Sequence, residues 1–173
     1  MKTVMQHNMA SIEANKVQRS VFDRTHGHKT TFNASDIIPF LVDEALPGDT
    51  FNVNASIFAR MATPIFPIMD NLFMDVFYFA VPLRLVWDNF QKMMGEQVDP
   101  GDSIDYTIPQ MVSTATTGYL AGSIHDYLGL PTEVPDLTHS ALFHRAAYLC
   151  YNEWFRDQNL QDSLTVPRDD GPD

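Results

Sequence analysis

The histidines are the first residues whose chemistry could make a site. Asp23, His26 and His28 in FDRTHGHK offer a His-x-His pair that can hold a metal, yet no third and fourth ligand follow at a zinc-site spacing. His139 and His144 stand five apart across an expected helix start, a spacing that does not put them on one face. Cys150 is the single cysteine, and it falls in an apolar helical stripe where a thiol behaves as a small buried hydrophobe. Asp99, Asp102 and Asp105 cluster in VDPGDSIDY, but their spacing does not match the calcium loop with ligands at positions 1, 3 and 5 and glycine at 6. No phosphate-cradling glycine loop, nucleophile elbow or HExxH is present. The residues therefore predict no catalysis, no metal and no cofactor. A lone cysteine also excludes an intrachain disulfide and suits a reducing compartment.

Charge is distributed unevenly. Residues 1–30 carry Lys2, Lys16, Arg19, Arg24 and Lys29 against Glu13 and Asp23, a net of +3, so the remaining residues hold −14 of the total of −11. A basic, polar, aperiodic arm precedes an acidic body, and a polyanion is its expected partner; the bland alternative is a solvated terminus. The composition, 45% hydrophobic and 19% charged, is that of a globular protein in a chain of 173 residues. The longest uninterrupted apolar run, residues 76–83, is far too short to span a membrane, and no signal-peptide pattern opens the chain.

The elements that would position these residues are mainly strands. Phe51, Val53, Ala55, Ile57, Ala59 and Met61 alternate with mainly polar residues, which predicts a half-buried strand over 50–62. Residues 37–44 predict a strand at an edge or bulge because of Pro39, and residues 72–81 (LFMDVFYFAV) a strand covered on both faces. Two helices are predicted. The first runs over 86–94 and stops at Gly95. The second runs over 140–158, capped by Ser140, with Phe143, Ala147, Cys150, Tyr151 and Trp154 on its apolar face and Arg145, Asn152 and Arg156 opposite. Tyr148 and Phe155 make a second apolar patch, so Phe143, Tyr148, Tyr151, Trp154 and Phe155 are the candidate packing or subunit contacts. Trp154 is expected in the core, where truncation to Ala would cost roughly 3–5 kcal/mol. Residues 96–139, rich in Pro, Gly, Thr and Asp, read as a long insertion with a short turn near 124–128. The closing TVPRDDGPD reads as a loop entry, as if the chain continued. The organisation is an arm (1–30), first strands plus a short helix (31–95), an insertion (96–139), and a helix and loop (140–173).

Three stretches carry a family resemblance: RSVFDRTHGHKTTFNASDIIPFLVDEALPGDTFNVN (19–54), FARMATPIFPIMDNLFMDVFYFAVPLRLVWDNFQKMMGE (58–96) and YNEWFRDQNLQDS (151–163). In this order and separation they resemble the amino-terminal part of the major capsid proteins of the microviruses, small single-stranded DNA bacteriophages, in the gokushovirus branch. Residues 98–137 resemble the family only loosely. The resemblance implies a mainly β fold with inserted helices, part of an eight-stranded jelly roll, in an icosahedral shell around a circular single-stranded genome. It implies as partners further copies of the chain, other virion proteins, packaged DNA and a host receptor, with assembly in the bacterial cytoplasm. Lys2, Lys16, Arg19, Arg24 and Lys29 are then the candidate DNA-facing residues. The rival reading is a ligand- or carbohydrate-binding β-sandwich using Trp87, Tyr106 and Tyr119 as exposed aromatics; a glycosidase with two spaced carboxylates stands third.

Overall fold

A strand needs a second strand, because each of its residues offers one backbone donor and one acceptor that must be met. The computed structural model describes residues 18–173. Among them, residues 50–81 make no backbone–backbone hydrogen bond and adopt no regular secondary structure. The strands expected over 37–44, 50–62 and 72–81 are therefore not formed. Their alternation persists in the sequence, but the ladder that would turn it into sheet is missing. The half-buried strand and the doubly covered strand are instead exposed: Phe51, Val53, Ile57 and Met61 lie open, and so do Leu72, Phe73, Phe77 and Tyr78.

Among the described residues, regular structure begins at a single 3-10 turn, Leu83–Leu85, followed by α1, Phe90–Met93. The expected helix over 86–94 is thus shortened to its second half. Its first residues are claimed elsewhere: the Asp88 amide donates to the Arg168 carbonyl at 2.9 Å, and Val86 and Trp87 are fully buried. Gly95 adopts a φ of 91°, the left-handed conformation that ends a helix without a Cβ clash.

The segment read as an insertion has its ends clamped together. β1, Gln110–Val112, pairs antiparallel with β2, Thr138–Ser140, in the register Gln110–Ser140, Met111–His139 and Val112–Thr138. Ser113, almost fully buried, extends the clamp: its amide donates to the Leu137 carbonyl, its hydroxyl donates to the Val134 carbonyl at 2.8 Å, and the same oxygen accepts from the Leu137 amide at 2.9 Å. Gly118 sits at φ 66°, and a Cβ there would meet the Val134 backbone at 2.5 Å, so only glycine allows the two sides to approach. Between them lies α2, Ile124–Tyr127, at the short turn expected from sequence. Ser123 caps it by accepting from the Asp126 amide, and the Asp126 carboxylate reaches back to the Gly122 amide at 2.8 Å.

α3, Leu142–Cys150, starts directly after β2 and runs into a π-helical turn, Tyr151–Phe155. Its N-cap is Ala141 rather than Ser140, which is already the last residue of β2; the Ser140 hydroxyl still accepts from the Leu142 amide, at a long 3.4 Å. The face expected to be buried is only partly covered, with Ala147, Cys150 and Tyr151 half-buried. Phe143 and Trp154 are exposed, Trp154 by 70%, whereas Ala141, Arg145 and Asn152 are buried and Tyr148 half-buried, a seam at spacings of four, three and four. Polar anchoring, not apolar burial, chooses this helix face.

Candidate assembly surface

The anchor on that seam is Arg145, which has no exposed surface. Nε and Nη2 grip the Asp173 carboxylate at 2.8 and 2.7 Å, Nη1 donates to the carbonyls of Asp169 (2.9 Å) and Val86 (3.3 Å), and Nη2 also donates to the Gly171 carbonyl at 3.1 Å. All five guanidinium donors are met in the fork geometry that only arginine offers. Next to it Asp170 accepts from the Trp87 indole at 2.6 Å, the Asn89 amide at 2.9 Å and the Thr107 backbone at 2.9 Å. These donors, the Trp87 indole above all, hold its carboxyl below the usual range. Residues 168–173, read from sequence as a loop entry, are thereby a strap joining α3, Trp87 and the start of β1.

This small ordered body carries the extended apolar segments. Phe77 and Phe79 lie side by side with centroids 6.3 Å apart, and the π-helical turn supplies Phe155, edge-on to both at 5.6 and 5.8 Å, and Trp154, 5.6 Å from Phe79. The result is a partly covered aromatic patch continuous with the open run 72–76. Each large side chain on it would contribute about 1.5–3 kcal/mol on full burial. Trp154 and Phe155 therefore meet the first-strand region across one surface. Phe143 is exposed, and Tyr148 and Tyr151 are half-buried, Tyr151 donating to the Gln161 side chain at 3.1 Å.

The basic candidates separate. Lys2 and Lys16 lie outside the described residues. The Arg19 guanidinium donates to the Gly48 carbonyl at 2.7 Å, Arg24 pairs with Asp43 at 3.1 Å, and Lys29 is exposed. The Arg24 pair is open to solvent and worth about 1 kcal/mol at most. Trp87 and Tyr119, offered as exposed aromatics in the carbohydrate-module reading, are buried, so the aromatic platform that reading requires is not formed by them. Asp99 and Asp102 close an exposed turn on each other, the Asp99 amide donating to the Asp102 carboxylate at 2.9 Å.

Residues 10–173 match the family model described as capsid protein (F protein). The chain belongs to the phage capsid F protein family. Members similar to it are the capsid protein VP1 of Bdellovibrio phage phiMH2K, 48% identical over 168 residues, and that of Chlamydia phage 1, 41% identical over 170. The capsid protein VP1 of Spiroplasma virus 4 is 32% identical over 164 residues. These alignments cover 97%, 95% and 94% of this chain but 31%, 28% and 30% of the relatives, so the chain spans under a third of their length. Membership in the F protein family agrees with the resemblance carried by residues 19–54, 58–96 and 151–163.

Two features escaped the sequence reading. Arg145 falls on the polar face by helical periodicity, because its partner lies 28 residues away and nothing local marks it as buried. His125, His139 and His144 converge although their spacing forms no motif; three of the six histidines falling within twenty residues was the one available signal. Burial, together with the neighbouring His125 and His139, pushes the His144 ring down to about 4, so it is neutral near pH 7.

Proposed function

We propose that this chain forms part of a structural major capsid subunit that assembles with copies of itself into an icosahedral shell around single-stranded DNA, with no catalytic role. The observation that carries the reading is the pair of segments 50–62, alternating as a strand, and 72–81, a nearly continuous apolar run: both are exposed and without backbone partners among the described residues. Such segments are templates for pairing. The reading places them as strands of a jelly roll whose other strands come from outside this segment, with the patch of Phe77, Phe79, Trp154 and Phe155 packed against further protein. Family membership and the VP1 relatives support the same assignment and a place in the virion. The basic residues Lys2, Lys16, Arg19, Arg24 and Lys29 are assigned to the genome side, since the acidic body would repel a polyanion.

The test is assembly. Phe73→Asp and Phe79→Asp in the full-length protein place a charge on the surface meant for burial. Both should abolish particles in electron micrographs of purified material; normal particles from both variants would refute the assignment of this surface.

A further inference from the structure

Three imidazoles from three elements meet beside Tyr119. His125 comes from α2, His139 from β2 and His144 from α3, and one ring nitrogen of each lies within 4.8 Å of the others. His139 is oriented as a ligand. The Ser140 carbonyl, 3.0 Å from Nδ1, can only accept, so Nδ1 bears the proton and Nε2 keeps its lone pair, which accepts from the Tyr119 hydroxyl at 2.7 Å. The Tyr119 ring stacks on His125 at 3.9 Å and fixes its plane. His144 is only 1% exposed, and neither of its ring nitrogens has a partner among the described residues; Nδ1 of His125 is likewise buried and unpartnered. Native proteins leave few such atoms unmet.

We propose that His125, His139 and His144 bind a divalent transition metal ion of the zinc class. Three neutral imidazoles without a carboxylate suit zinc, cobalt or nickel and not the hard oxygen-seeking calcium or magnesium. Bonds of about 2.1 Å to a tetrahedral ion set the nitrogens about 3.4 Å apart, so the rings close by roughly an ångström through side-chain torsions. Binding the ion breaks the Tyr119 hydrogen bond to Nε2, because that nitrogen has a single lone pair, and water or the released Tyr119 oxygen takes the fourth position. The ion would staple α2 and β2 to the start of α3, fixing the segment between the paired strands against the helix that carries Arg145. The inference goes beyond the assembly reading, and the same metal measurement applies to the full-length protein whether or not it assembles.

The experiment uses purified particles of the full-length protein, stripped with a chelator and dialysed against Zn²⁺ or Co²⁺. The expected result is one ion retained per subunit, a visible d–d spectrum of tetrahedral Co²⁺, and three imidazoles counted by X-ray absorption. His125→Gln and His139→Gln should each weaken binding by more than the about 10–100-fold typical of losing a supporting group. His26→Gln with His28→Gln should retain it. Absence of stoichiometric metal from the unsubstituted particles, an imidazole count below three, or loss of metal in the His26/His28 variant would overturn the site. The absorption measurement needs no substitution, so a count below three overturns the site even where a variant fails to fold.

Discussion

Arg145 shows how much one side chain can settle. Its charge is matched by Asp173, its other donors by three carbonyls, and its removal would leave the largely covered Asp173 carboxylate and those acceptors without their donor. Arg145→Met in the full-length subunit is expected to cost about 3–5 kcal/mol in urea unfolding, the usual penalty for breaking a buried pair. Arg145→Lys should recover little, because an ammonium has three donors and no planar fork. Asp170 makes a prediction in pH. Its carboxyl is held below the ordinary 3.8 by the Trp87 indole first, then Thr107 and Asn89, so the folded state binds its proton less readily than the unfolded one. The stability it contributes is fully present above the unfolded value and is lost as pH falls through the folded one. Thermal unfolding followed from pH 6 to 2 should show a steeper acid loss for the unsubstituted subunit than for Asp170→Asn, which starts less stable at neutral pH. Parallel curves would show that the three hydrogen bonds do not discriminate the ionised form.

At the scale of the element, α3 reverses a common expectation. Its apolar stripe is legible in the sequence, and so is its helicity, but the buried seam runs through Ala141, Arg145, Tyr148 and Asn152. Asn152 joins by donating to the Leu164 carbonyl at 2.8 Å and accepting from the Leu164 amide at 2.9 Å. The exposed part of the apolar stripe, Phe143 and Trp154, then remains available for other protein. Trp154→Ala should therefore change the stability of the unassembled subunit by less than about 1 kcal/mol, as surface positions do, while lowering particle yield. A loss of 3 kcal/mol or more in the unassembled subunit would restore Trp154 to the core.

The whole molecule exposes 15380 Å², whereas a compact monomer of 19.6 kDa exposes about 8,600 Å². Among the described residues the exposed surface is concentrated in the long run 18–81, which includes the strand-like region. Residues 1–173 expressed alone should aggregate or remain non-cooperative, because an aromatic strand segment with open edges pairs indiscriminately; a monodisperse species with a sharp thermal transition would contradict this. The arm belongs to the same scale. Five cations meeting phosphates would give a log–log salt slope of at most about −3.5 per subunit on single strands, and the Arg24–Asp43 pair lowers that number. Replacing Lys16, Arg19, Arg24 and Lys29 with Gln should leave thermal stability nearly unchanged and reduce packaged DNA. Particles that package normally but fall apart would make the arm a clamp between subunits.

Local periodicity and residue type determined, from sequence alone, the alternation of 50–62, the helical character near 142–155, the turn at α2, the stop at Gly95 and the charge of the arm. Each depends on neighbours a few residues apart. Long ordered similarity determined the family. Tertiary structure alone decided which helix face is buried, that residues 168–173 strap the body together, and that three histidines meet. Those outcomes depend on partners up to 83 residues apart, such as Trp87 and Asp170, whose pairing leaves no trace in local spacing. Tertiary structure likewise decided that the alternating segment 50–62 stays unpaired among the described residues, because a ladder exists only where a second strand supplies the other half of every hydrogen bond.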